Sequence, residues 1–570
     1  MPVEISELVV QANAPPAISR VIEVEGSALA PDIDEQLERA VVIDRLAMPD
    51  TFELVFRDPG NRDILERAGL KIGKKVKIST TSRGGDAPVA LISGEVTGVE
   101  ADYDGLGARA VVRGYDLSHR LNAGRRTQIF TNVTYSDIAR QLARDAGLQS
   151  EIDDSHETFD HVIQANQSDW EFLVGLSRLI AFECRVEGDV LSFKKPTPSS
   201  SAPSKGDFSS DDPRQLVWGA RLLEYRARIS AMSQVKDVKV RGWDVAGKKA
   251  VVGRADVSAP NANLPMKPAY LASKVGGKTL TVVDRPVDGQ GAADALARAR
   301  AEQVGGAAYE ATAVAEGSPI LKAGVAVNVS GVDTALAGEW VISTSRHEFG
   351  DGAYRTHLEF SGHQDRSLHG LVANGTGSPT GSRIAGVVIA LVAANNDPDE
   401  LGRVKLRFPW LSDNAVSNWA RVAAPGAGAG YGVVWIPQVD DEVLVAFEHG
   451  DVSHPVVLGG LWNGQDPIPF SKDNLDAGLV TWCGFVSRTG HQLNFWESAD
   501  DSSIQLLTKG GAMNVVLDEM NGELRIEIDG KLVVDATGDI EFTTKGAFKV
   551  KASGDVTIKG TKIALNPPGA

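Results

Sequence analysis

Gly522-Glu523-Leu524-Arg525-Ile526-Glu527-Ile528-Asp529, Gly530-Lys531-Leu532-Val533-Val534-Asp535-Ala536-Thr537 and Gly538-Asp539-Ile540-Glu541-Phe542-Thr543-Thr544-Lys545 are three consecutive octads, each opened by glycine. Gly546 and Gly554 open two more, which carry Phe548, Val550 and Ala552, then Val556 and Ile558, at even positions. The odd positions are mostly charged or polar, as at Lys531, Asp535, Lys549 and Lys551. Strict alternation describes strands with one buried face. A glycine at a fixed period describes a chain that turns sharply at the same place each time. Such a ribbon supplies only a narrow apolar strip with open edges, so it needs a partner. Identical ribbons wound about one axis with apolar faces inward solve the problem, and three-fold winding gives a solid prism. The alternative is a single-chain β-solenoid, whose coil ordinarily needs a longer repeat. The pattern lapses at the end: Lys562 stands where glycine is due, and Asn566-Pro567-Pro568-Gly569 follows.

Around this repeat the chain is long and ordinary in composition. Its 570 residues allow for several domains, and 42% hydrophobic with 23% charged residues is a globular balance. Seventy-five acidic residues against 58 basic ones give a net charge of −17, which argues against a general nucleic-acid binder. Cys184 and Cys483 are too far apart in sequence for any common zinc spacing and too few for a disulfide framework. Met1-Pro2-Val3-Glu4 lacks the basic and apolar regions of a signal peptide, and no run approaches a membrane span. Synthesis in a cytoplasm is expected, with any export by a route other than general secretion.

Residues 1–195 alternate strand patterns with two helices. Thr134 and Asp137 open the first, with Ile138, Leu142 and Ala146 at helical spacing before Gly147. Ser168 and Glu171 form a capping box for the second, followed by Trp170, Leu173, Leu176 and Ile180 on one face. Residues 196–213 read as a loop; 214–365 are β-patterned with an Ala-rich helix near 292–303. The Gly/Ser/Thr-rich run between Gly370 and Ser382 is a linker. Six short strands are then expected at Ile384–Val392, Arg403–Phe408, Trp419–Ala423, Val433–Ile436, Glu442–Phe447 and Val456–Leu461, which suggests a small barrel.

Residues 384–464 resemble the OB-fold domain of VgrG proteins and of phage baseplate spikes. The resemblance rests on Asp397-Pro398, Leu401-Gly402-Arg403-Val404-Lys405, Phe408-Pro409-Trp410, Trp419-Ala420-Arg421-Val422, Ile436-Pro437, Asp441-Glu442-Val443-Leu444-Val445, Gly450-Asp451 and Leu461-Trp462-Asn463-Gly464. Val112-Arg113-Gly114-Tyr115-Asp116, Gln167-Ser168-Asp169-Trp170-Glu171-Phe172-Leu173 and Gly338-Glu339-Trp340-Val341-Ile342, with His347 and Tyr354, resemble the hub of the same family. The resemblance implies a mainly β chain with an α+β hub. Residues 1–370 would form a two-barrel hub, 371–383 a linker, 384–465 the OB barrel and 466–570 an intertwined triple-stranded β-helical spike. It further implies a homotrimer that joins a hexameric inner tube and baseplate proteins to a needle that crosses a target membrane transiently. A PAAR-type tip protein would sit on Asn566, Pro567, Pro568, Gly569 and Ala570. With no long extension after the repeat, a fused toxin is not expected. Type VI spikes usually carry His-Trp after the second barrel strand; Phe408-Pro409-Trp410 looks closer to phage-tail-like injection particles. Such a particle either stays in the cytoplasm or is released.

No enzyme, cofactor or metal is expected. The barrel ends at Gly464 and strand-like sequence soon follows, which leaves no room for a glycosidase domain with paired acids. His347-Glu348 lacks the second histidine of a zincin helix and reads as a strand-end histidine. His357, His363 and His369 read as loop histidines, and Asp440-Asp441-Glu442 as a plain acidic strand start. Gly426 to Gly432 precedes a strand rather than a helix, so it is a barrel loop and not a phosphate cradle. Trp410, Trp419, Trp435 and Trp462 are packing residues in this reading. An OB barrel gripping glycan or nucleic acid, or an unrecognised hydrolase in the hub, are the competing classes.

Overall fold

The computed structural model describes residues 20–565, apart from 47, 59–62, 82–86, 106, 351, 362–382, 470 and 472–473. The chain divides into two units, Met1–Leu461 and Trp462–Ala570. Nearly all of the expected linker, together with His363, His369 and the Asn566–Ala570 tip seat, lies outside the described residues.

In the first unit, one 11-stranded sheet runs through both halves of the hub. Its seam is the antiparallel pairing of Thr344–Gly350 with Leu37–Arg45. Each half has its own core. Phe52, Leu54, Phe56, Ile78 and Val112 fill the first. Trp340, Tyr309 and Phe360 anchor the second, with Trp340 meeting Tyr309 edge-on at 6.5 Å between ring centres. The helices form where their caps place them. Tyr135–Asp145 starts on a reciprocal Thr134–Asp137 box, and Asp169–Leu179 on the Ser168–Glu171 box. Gly147, at φ +70°, ends the first in the left-handed region. The Ala-rich helix is longer than expected, Gln290–Gly306. Its small residues allow close approach to the sheet: a Cβ on Gly253 would lie 2.2 Å from the Ala293 carbonyl oxygen.

The barrel is a five-stranded sheet in the order Lys405–Arg407, Val387–Ala394, Glu442–Phe447, Pro455–Gly460, Arg421–Val422. Val392, Leu406, Phe408, Val443, Val445 and Val457 are fully buried in it. One expected strand needs correction. Val433–Ile436 is not a strand of this sheet; the exposed hairpin Ala427–Gly428 with Tyr431–Gly432 precedes it, and Val433 to Ile436 runs on exposed. The barrel motif residues explain themselves locally. Asp397 accepts hydrogen bonds from the Leu401 and Arg403 amides and from the Arg403 guanidinium at 2.7 and 2.9 Å. The Arg403 fork holds its carboxyl well below the usual range. Gly402, at φ +70°, lets the loop close.

In the second unit a short hairpin, Leu475–Asp476 with Leu479–Val480, precedes a five-stranded antiparallel meander: Trp482–Val486, Gln492–Glu497, Ser502–Leu507, Met513–Asp518 and Glu523–Ile528. This corrects the reading of the first octad. Leu524 and Ile526 belong to a strand paired in-chain with Met513–Asp518, and Gly522 (φ +61°) is in the turn that leads into it. From Lys531 to Leu565 no described residue belongs to a strand, and bends fall at 529–530, 537–538, 545–546 and 553–554, with two more at 561 and 565.

Candidate functional site

The bends recur every eight residues, on Gly530, Gly538, Gly546 and Gly554. Between them the even-numbered side chains stand uncovered. Phe542 is 75% exposed, and Leu532, Val534, Ile540, Phe548, Val550, Val556 and Ile558 are all more than half exposed. Phe542 and Phe548, in successive octads, stack with ring centres 5.8 Å apart. A soluble chain rarely leaves so continuous an apolar stripe open to water, and unpaired extended backbone adds the cost of unmet edges.

The meander continues the same division. Register places Cys483 and Phe485, Leu493 and Phe495, Ile504 and Leu506, Val515 and Leu517, and Leu524 and Ile526 on one face. Every one is apolar or a thiol, yet Phe485, Leu506, Leu517 and Leu524 are each more than half exposed. The opposite face is mixed: it carries Trp482, Gln492, Asn494, Trp496, Ser503, Gln505 and Asn514, together with Val486, Leu507 and Val516. There Asn494 and Ser503 are buried. The sheet thus leaves its apolar face bare while shielding part of its mixed one. A single chain has no means of covering the bare face among its described residues.

Within the first unit, barrel and hub share a core. Ala165 and Ile163 of the hub strand Thr158–Gln167 pack with the barrel residues, and the His161 ring contacts the Val416 carbonyl at 3.3 Å. Beside them is a charged joint. His454 lies 3.8 Å from both Asp288 of the hub and Asp451 of the barrel, and Arg285 lies 3.7 Å from Asp451. Burial alone would lower the His454 value, but the two carboxylates outweigh it and raise it to about 9. Asp451 is correspondingly held down to about 2, the charges of His454 and Arg285 overcoming its burial. The sequence reading missed this joint because Asp288 and His454 share no spacing or pattern.

A histidine held above its ordinary value contributes stability that is complete below about pH 6.5 and is lost as pH rises through 9. His454→Gln should cost about 2 kcal/mol at pH 7. The gap in melting temperature between wild type and variant should close by pH 10. A gap that stays constant from pH 7 to pH 10 would show that the charge on His454 does not hold the joint.

Among the described residues of the hub, Ser345 and His347 make a Ser–His pair. Ser345 Oγ lies 3.0 Å from His347 Nε2, and Tyr354 OH 2.8 Å from His347 Nδ1. Ser345 donates its proton to the Leu321 carbonyl, so Nε2–H donates to Ser345 and Tyr354 donates to Nδ1. The serine is an acceptor here, not a nucleophile awaiting a base. Both residues are fully buried in sheet, and burial pushes His347 down to about 3, which keeps it neutral. His357 lies 3.5 Å from Glu348. Asp440 pairs with Arg407 at 3.3 Å, and Asp441 accepts from the Gln438 amide at 2.8 Å. Among the described residues no group of three or more His, Cys, Asp or Glu could hold a metal, and no helix is long and apolar enough to cross a membrane.

The type VI secretion system/phage-baseplate injector OB domain matches residues 388–462, the barrel. A second family, the Alg8 N-terminal domain, matches residues 70–351, just under half the chain. The type VI secretion system spike protein VgrG1c of Pseudomonas aeruginosa is 32% identical over 139 residues, 23% of this chain and 18% of the relative. The actin cross-linking toxin VgrG1 of Vibrio cholerae is 25% identical over 280 residues, 44% of this chain and 24% of the relative. The matched stretches thus span a quarter or less of these curated relatives. A chain of the Francisella PdpA-VgrG complex superposes with a TM-score of 0.51 at 9% identity, covering 90% of this chain and 80% of that one. That likeness is one of fold. By the sequence of its barrel and the fold of its length, this is a VgrG-like chain, similar to the spike proteins of type VI secretion and phage baseplates.

Proposed function

We propose that the chain is a structural spike and hub of a contractile, phage-tail-like injection machine, working as a homotrimer and not as an enzyme. The observation that carries this is the uncovered apolar face that runs from the meander through the octads. Three copies wound about one axis would bury that face and give each extended run strand partners on both sides. A prism without free edges suits a tip that must cross a membrane under load, because forced unfolding is governed by the unfolding rate. The two hub halves joined by one sheet would serve as two platforms in each chain. Three chains would therefore offer six, matching a hexameric inner tube; baseplate proteins would bind around them. A PAAR-type tip protein would cap the C-terminal end of the spike. The protein would be made in the cytoplasm and act within the particle. Phe408-Pro409-Trp410 favours a phage-tail-like particle over a type VI spike or a prophage tail.

Absolute mass in solution tests the reading. Three chains of 60.5 kDa give 181.5 kDa by light scattering after size exclusion. A stable species of 60.5 kDa would mean the ribbon is covered some other way, and the spike reading would fall.

A further inference from the structure

The small sheet under the Ala-rich helix leaves its other face open. Its strands run in the order Lys249–Asp256, Asp237–Asp244, Thr279–Val282. Val238, Val240 and Val251 turn to the helix Gln290–Gly306 and pack with Ala293, Leu296 and Ala297. Alternation sends the residues between them to the opposite side. Register there sets Asp237 against Asp256, Lys239 against Arg254, Arg241 against Val252 and Trp243 against Ala250. Two of these four rows oppose like charges, an arrangement that weakens a sheet. Thr279 Oγ1 donates to Asp237 Oδ1 at 2.6 Å. Among the described residues the side chains of Lys239, Arg241 and Arg254 have neither an ion pair nor a hydrogen bond. Trp243, at the end of the row, is 48% exposed.

Positive charge concentrates here. Residues 236–283 hold nine lysines and arginines against three aspartates and no glutamate, in a chain whose net charge is −17. A carboxylate is the partner that the Arg241 and Arg254 forks fit best. A continuous polyanion fits the face poorly. A nucleic-acid strand or an anionic bilayer lying across it would set negative groups against Asp237 and Asp256, and a single tryptophan gives bases no stacking run. From the aspartate row to Trp243 is six residues, about 20 Å of strand, and the charge changes sign along it. The complement is a surface whose charge changes sign in step. Arginine and tryptophan side by side are also the residue types on which protein interfaces most often turn. We propose that this face docks an extended segment of another protein, with two carboxylates over Lys239, Arg254 and Arg241, a lysine or arginine at Asp237 and Asp256, and an apolar side chain on Trp243. The face belongs to the first unit and does not depend on the octads.

The full chain, its mass first measured by light scattering, is titrated into fluorescein-labelled heptapeptides at about 50 mM salt, where a surface ion pair is weakly screened. One peptide reads Leu-Ser-Glu-Ser-Glu-Ser-Lys, the second is its reverse, and the control exchanges glutamate with lysine. Anisotropy should show one of the first two binding with a dissociation constant of about 1 mM or tighter, and the control at least about tenfold weaker. Arg241→Glu and Arg254→Glu should each weaken binding at least about tenfold. Arg254→Glu sets opposite charges face to face with Lys239, so it should melt no lower than wild type, which separates lost docking from lost folding. Binding of neither peptide, equal binding of the control, or tighter binding of an oligothymidine or of phosphatidylglycerol vesicles overturns the proposal. A variant that falls from trimeric to single-chain mass would assign the face to a contact between copies and overturn it too. A wild type of single-chain mass that binds the peptide would remove the trimer and keep this site.

Discussion

A chain carrying Val534→Asp should elute at the mass of one chain, 60.5 kDa, instead of 181.5 kDa for three. Val534 is 64% exposed in the single chain, so the substitution buries nothing new in the monomer. In the trimer it would bring three carboxylates together on an apolar axis. Each buried, unpaired charge costs several kcal/mol, so three would cost on the order of 10 kcal/mol, comparable with the whole stability of a domain. The hub should melt unchanged, because the effect belongs to association alone. Asp535→Lys, on the alternate face of the same octad, is the control and should keep the trimeric mass. A trimer that survives Val534→Asp would take the even positions off the axis.

Ending the chain after Asp529 should have the second largest effect. The cut falls after the last strand with an in-chain partner, Glu523–Ile528, so every sheet of the single chain is retained. The melting temperature of the hub and barrel should stay within about 2 °C of wild type, since a change of 1 kcal/mol moves a domain of this size by no more than a few degrees. Light scattering should show the shortened chain as single chains at concentrations where the wild type is a trimer, a rise in the dissociation midpoint of at least about 100-fold, which for three chains is about 5.5 kcal/mol per trimer. Particles built with the shortened chain should fail to deliver. Full delivery would remove the octads from any piercing role.

How much of this was legible in the sequence depends on whether the cause was local. The capping boxes at Thr134–Asp137 and Ser168–Glu171 were readable because a cap is settled by four adjacent residues. The buried barrel residues alternate along their strands, so periodicity found them. Val433–Ile436 misled because an apolar, β-branched run specifies extended backbone but not a neighbour to pair with. Gly522–Ile528 misled for a related reason: alternation with a leading glycine suits a meander strand and a prism strand equally well. The His454 joint left no trace in the sequence, because its hub and barrel carboxylates lie at 288 and 451 and meet only through tertiary packing. The cross-strand pairing of Trp482 with Trp496 had a faint signal, two tryptophans placed symmetrically about Thr489, whose meaning needed the register.

The bend at every eighth residue also works as a gauge. In a three-chain winding, each chain returns to the same face after three octads, with one strand from each of the other two chains stacked between. Strands stack about 4.8 Å apart, so each octad would raise the tip by about 4.8 Å and each full circuit by about 14 Å. Reach is then written in whole units. Adding or removing one octad would change the length of the shaft by one fixed step and rotate whatever stands on its end by a third of a turn, which three-fold symmetry makes invisible to the cargo. A lineage could lengthen or shorten its reach by unequal copying of a 24-base segment, with no redesign of the hub below or the seat above.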